Sequence, residues 1–225
     1  MGGCCSAPGE ELPAVSGEEL EKIRNAGFLP VVATPTVDFH GNNQLTTLYV
    51  ALYENGAEIT LLFLDEDRPN QCEDCLYDTI RRPLFGRFSD VESIIVIGKD
   101  MVFPGTFSAD QTWKTKVPSH NEATVPLDKF ERHGDGSEIV IFVNTWNHLL
   151  GDSNTNPGEK MTYQHPQLAG SSSGGGGGGD GGTKTSFVVR KGSRAEVDTR
   201  FKGLITSVST VMTEERLKKL GKRIF

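Results

Sequence analysis

Residues 45–64 read LTTLYVALYENGAEITLLFL. Two apolar runs rich in β-branched and aromatic residues, Leu45 to Tyr53 and Glu58 to Leu64, flank Glu54-Asn55-Gly56-Ala57. An Asn-Gly pair between two such runs is a strong short-range hairpin signal, because both residues tolerate the positive φ of tight turns. This stretch predicts a β-hairpin and makes the domain sheet-based.

Working outward, Leu29 to Val37 is apolar around Pro30 and Pro35. Proline has no N–H to give to a ladder, so this segment suits an edge strand. Ser93 to Gly98 and Glu138 to Trp146 are short continuous apolar runs and read as buried strands. Ser186 to Arg190 and Phe201 to Val208 complete the strand candidates. Ser16-Gly17-Glu18-Glu19 has the form of a capping box, with Leu20 and Ile23 as an apolar stripe and Gly27 as a stop. A second helix is predicted from Gln71 to Arg82 between Pro69 and Pro83. A third follows Thr213 as N-cap, with Leu217, Leu220 and Ile224 on one face. Few helices, several strands and a hairpin predict a single α+β domain with a mostly antiparallel sheet, a few short helices and a long Gly-rich loop.

The organisation expected is a flexible N-terminus over 1–15 and the main part of the domain over 16–168. A Gly/Ser-rich insert follows over 169–186, and 187–225 complete the domain with strands and a basic helix. The insert cannot bury apolar surface. The whole of 151–186 reads as loop.

The chain opens Met1-Gly2-Gly3-Cys4-Cys5-Ser6. This looks like an N-myristoylation signal, with Gly2 as the acceptor once Met1 is removed and Cys4 and Cys5 placed for palmitoylation. One myristoyl chain binds membranes only marginally, so a second signal is needed. A polybasic patch is missing, since Glu10, Glu11, Glu18, Glu19 and Glu21 outnumber Lys22 and Arg24. The two cysteines therefore carry the second half of the anchor. The chain as a whole has net charge −7, whereas residues 184–225 carry +7, leaving −14 on the rest. Lys218, Lys219, Lys222 and Arg223 are the cations placed to face anionic lipid. No apolar run approaches the roughly 20 residues of a spanning helix. No secretory signal is expected either.

Cys72-Glu73-Asp74-Cys75 follows a strand candidate and opens the second helix. That context resembles the active-site turn of thioredoxin-like proteins. The resemblance implies a thiol redox protein with Cys72 at an exposed helix start facing a cis-proline loop, for which Val125-Pro126 is the candidate. The family's Trp-Cys-Gly-Pro-Cys lacks its aromatic, glycine and proline here, and the two intervening acids favour the protonated thiol. The competing reading makes Cys72 and Cys75 small apolar residues on the helix face of Leu76 and Ile80.

No metal or cofactor is expected: His40, His120, His133, His148 and His165 are scattered without paired spacing. Arg132-His133-Gly134 leads into a turn at Gly134-Asp135-Gly136, and the acids Asp65-Glu66-Asp67 read as a solvated loop. Trp146 and its neighbours Asn144, Thr145, Asn147 and His148 read as a core aromatic beside turn residues. The acidic chain lacks basic-aromatic interleaving, so nucleic acid is not an expected partner. The function expected is a lipid-anchored peripheral protein at the cytoplasmic face of a eukaryotic membrane. It would act as a non-catalytic scaffold or adaptor for membrane lipid and an unidentified protein. The alternative is a membrane-tethered thiol redox protein using Cys72 and Cys75.

Overall fold

The computed structural model of the protein describes residues 11–36, 44–65, 79, 84, 89–134, 136, 138–168, 185–200 and 212–225. The lipidation residues Gly2, Cys4 and Cys5 lie outside them, as do Cys72, Cys75, nearly all of the second predicted helix, most of the glycine run and Phe201 to Val208.

The element order is α1 (Gly17–Asn25), β1 (Pro30–Pro35), β2 (Leu45–Tyr53), β3 (Gly56–Phe63), β4 (Asp90–Ile97), β5 (Asp100–Phe107) and β6 (Asn121–Pro126). A 3-10 turn (Leu127–Lys129) leads to β7 (Arg132–His133), β8 (Glu138–Val143), β9 (Leu150–Gly151), β10 (Met161–Gln167) and β11 (Thr185–Lys191). The helices α2 (Arg194–Asp198) and α3 (Glu214–Leu220) follow.

The expectation of a mostly antiparallel α+β sheet is overturned. Nine strands close on themselves in the order β1-β10-β11-β2-β3-β4-β5-β9-β8, and β8 returns to β1; β6 and β7 pair outside this ring. The barrel is mixed: β1–β8, β10–β11, β11–β2 and β5–β9 pair in parallel. The consecutive run β2–β3–β4–β5 is antiparallel. Local turn signals reveal such hairpins, but parallel partners distant in sequence carry none.

The predicted hairpin forms, with Tyr53 opposite Gly56 across Glu54-Asn55. Neither turn residue takes positive φ. Gly56 is required for another reason: a Cβ there would stand 1.9 Å from the Val96 carbonyl oxygen. The edge-strand reading of β1 fails, because β1 lies between β8 and β10. Pro30 and Pro35 are tolerated as its first and last residues. The loop reading of 151–186 fails over 161–167, where β10 completes the ring despite a polar composition.

Alternation sorts the strands' two faces. Leu48, Val50 and Leu52 of β2 join Ile59, Leu61, Phe63, Ile94, Phe103 and Ile141 in one interior cluster. Tyr49, Ala51 and Tyr53 join clusters on the outer face. The capping box of α1 forms as predicted, with Ser16 and Glu19 bonding reciprocally. Its Leu20 and Ile23 join the interior cluster beside Phe28 and Leu29, which covers one end of the barrel. That end also carries the β2–β3 turn, the C-terminal end of β11 and the start of β1.

Candidate functional site

The described segments at the two ends of the chain meet at this covered end. Residues 13–15 extend alongside β11: the Val15 N–H donates to the Val189 carbonyl, and Lys191 N–H to that of Pro13. The Arg190 guanidinium donates to Glu11 at 2.6 Å. On the neighbouring strand, Leu52 exchanges backbone hydrogen bonds with Ile224 and Phe225. Lys191 joins the two segments, since its ammonium donates to Glu19 at 2.7 Å and lies 5.4 Å from the centroid of the Phe225 ring. The hydrogen bonds from Lys191 and Ser16 hold the Glu19 carboxyl at about 2.

The predicted third helix is α3. Thr213 accepts the Arg216 N–H, acids fill the first turn and lysines the last, as the macrodipole favours. Only Leu220 of the predicted apolar face is buried, against Ala51, Tyr53, Ile95 and Val102. Gly221, at φ 78°, ends the helix, so Ile224 leaves that face for a pairing with Leu52. Leu217 and Ile224 remain 42% and 60% exposed. The four predicted lipid-facing cations divide. Lys219 pairs with Glu215, and Arg223 with Glu196. Lys218 and Lys222 make no ion pair among the described residues.

Beside this end lies a buried polar network that the sequence did not disclose. Glu58 on β3 is 2% exposed and accepts the Arg194 backbone N–H at 3.3 Å. Burial pushes its carboxyl up to about 7, against the pull of Arg194 and Arg223. Arg194 also donates to the Val91 carbonyl and pairs with Asp198. Ser193 and Glu196 form the capping box of α2. Burial raises Glu196 too, but hydrogen bonds from Arg223 and Ser193 overcome it and hold that carboxyl at about 2. The network clamps α2 and the C-terminal segment to the barrel wall. Glu58 is covered, so it offers no proton to a substrate in this conformation.

The opposite end is held by a second polar cluster. His148, fully buried and at φ 57°, stacks on Phe63 with centroids 4.0 Å apart, and its Nδ1 lies 3.0 Å from Asp90 Oδ2. The Asn144 amide donates to Ser108 and to the Ser153 carbonyl, and its oxygen accepts the Thr155 N–H. Trp146 is buried and donates to the Thr115 carbonyl, which bears out its reading as core. With no solvent path to its ring, His148 orders a loop.

No protein family, curated protein or solved structure matches the chain.

The thioredoxin resemblance loses its scaffold, because the closed barrel is a different fold. Pro126 ends β6, and no cis peptide occurs among the described residues. Of the other predicted residues, His120 bonds the Gly105 carbonyl, and His133 and His165 come within 5.0 Å of each other. A groove of about 400 Å³ runs between the outer face of β4–β6 and α3 over Ile97 and Val102. The Arg216–Glu122 ion pair lies on its rim.

Proposed function

We propose that the protein is a lipid-anchored peripheral module that holds a rigid barrel at the cytoplasmic face of a membrane, as a scaffold or adaptor for a protein partner. The observation that carries this reading is the meeting of both chain ends at Lys191. An acylated N-terminus would leave the barrel at the end that also bears Lys218 and Lys222. The ten residues before Glu11 reach at most about 36 Å when extended. That tether keeps the basic end within reach of the surface to which the acyl chains bind. Lys218 and Lys222 then add attraction to anionic lipid, on the order of 1 kcal/mol each close to the surface. The exposed Leu217 and Ile224 add apolar contact area beside them.

Membrane fractionation of the wild type, Gly2→Ala and the Cys4→Ser/Cys5→Ser pair tests the proposal. Release of both variants into the soluble fraction is the expected result. Equal membrane association in all three would exclude acylation as the anchor. The thiol alternative is distinguished by alkylation across pH, since a redox pair would react well below the ordinary thiol pKa of about 8.5.

A further inference from the structure

His133 on β7 and Glu138 on β8 are directly paired across an antiparallel ladder, so their side chains share a face. His165, on β10, reaches the same place from the far side of β1. Its ring centroid lies 5.0 Å from that of His133, at an interplanar angle of 55°, and its Nδ1 lies 4.0 Å from Glu138 Oε2. We propose that His133, His165 and Glu138 form a binding site for one divalent transition-metal ion of the zinc type.

The donor set suits such an ion. Two imidazoles and one carboxylate, with a fourth position for water, are a recurring tetrahedral arrangement. The spacing suits it as well. With zinc–nitrogen bonds of about 2.0–2.1 Å, two imidazoles on one tetrahedral ion have centroids roughly 5 Å apart. Donor atoms on such an ion are separated by about 3.3–3.5 Å, so the carboxylate and His165 need to close by only about half an ångström. Among the described residues, no trio of His, Cys, Asp and Glu already stands at coordinating distance. Binding at this trio therefore requires the His165 and Glu138 side chains to draw together from their 4.0 Å separation. The His165 and Glu138 side chains are 40% and 23% exposed, which leaves an entry path.

Tyr163 stacks on His133 with centroids 5.1 Å apart and steadies that ring. The nearby Arg132 guanidinium donates to the Leu127 carbonyl. Sequence spacing could not reveal this site, because two of its donors meet only through the β8–β1–β10 order of the closed barrel.

The test is calorimetric titration of zinc chloride into the full chain, prepared without a histidine tag and with Cys4, Cys5, Cys72 and Cys75 replaced by Ser. These replacements remove competing thiolates. One zinc per chain is expected. His165→Ala and His133→Ala should each weaken binding at least tenfold, the loss that even an outer-shell partner brings. His120→Ala, on another part of the barrel, should leave binding unchanged. Circular dichroism checks that each variant is folded, and the half-exposed His165 allows the test to stand if His133→Ala does not fold. Lack of zinc binding by the four-serine protein, or equal affinity in His165→Ala, would overturn the proposal.

Discussion

The ring of Phe225 lies beneath the ammonium of Lys191, with 5.4 Å between the centroid and Nζ. The contact fastens the C-terminal residue to β11, the strand that also carries residues 13–15. Phe225 is half-buried against the interior cluster. Phe225→Ala should therefore cost less than truncation of a fully buried ring, about 1–2 kcal/mol, including a cation–π share of about 0.5–1 kcal/mol. The midpoint of urea unfolding reads this directly. An unchanged midpoint would mean that the chain ends are not clasped.

Glu58 gives stability an uncommon pH dependence. Its folded carboxyl is pushed up to about 7 from an ordinary 4.5, so between those values the folded state binds the extra proton. This contribution is fully present below about pH 4.5 and is lost as pH rises through about 7. It amounts to on the order of 2–3 kcal/mol. Glu19 and Glu196 act in a lower window, since both are held at about 2. Their contributions are present above about pH 4.5 and are lost as pH falls toward 2. Glu58→Gln should flatten the fall on the neutral side and leave the acid side unchanged. Parallel curves for wild type and variant, measured by urea unfolding across pH, would refute the assignment.

Gly56 is fixed by space. A Cβ at this position would meet the Val96 carbonyl oxygen at 1.9 Å and a Leu220 methyl at 2.8 Å. Gly56→Ala must therefore push β3 from β4 and lift α3. A loss of about 3 kcal/mol or more is expected, in the range of the severest single substitutions. Gly98→Ala makes a useful comparison, because a Cβ there meets nothing within 4 Å and the cost is confined to its φ of 61°. Equal thermal stability of Gly56→Ala and wild type would contradict the packing described.

Lys218 and Lys222 should matter for lipid binding more than Lys219 and Arg223, which are engaged by Glu215 and Glu196. Co-sedimentation of unacylated protein with anionic vesicles at low salt provides the measurement. Lys218→Glu/Lys222→Glu should weaken binding by more than tenfold, from about 1 kcal/mol per lysine removed plus the added repulsion. A larger loss from Lys219→Ala than from Lys218→Ala would show that the helix lies with a different side to the membrane.

How much of this was legible depended on range along the chain. The capping box at Ser16 and Glu19, the Thr213 cap and the 45–64 hairpin are contacts between near neighbours, and all form, the hairpin with its turn at Glu54-Asn55, one residue before the Asn-Gly pair. The closure of the barrel was not legible. It rests on Pro30 to Ala33 pairing in parallel with Ile139 to Phe142, and no turn residue announces a parallel partner. β10 leaves no strand signal in the sequence because Met-Thr-Tyr-Gln-His-Pro-Gln buries only Gln164, so alternation of hydrophobicity is absent. Its strand character comes from pairing with β1 and β11 on either side. The Glu58 network was invisible for a related reason. An acid within an apolar strand carries no mark of the Arg194 and Arg223 that later cover it.

The central claim, anchoring through the first residues of the chain, is tested most directly by mass spectrometry of the N-terminal peptide from protein expressed in a eukaryotic cell. The account predicts loss of Met1, a myristoyl group in amide linkage on Gly2, and acyl groups on Cys4 and Cys5 that hydroxylamine releases. An N-terminal peptide carrying no acyl group on any of these three residues would contradict it.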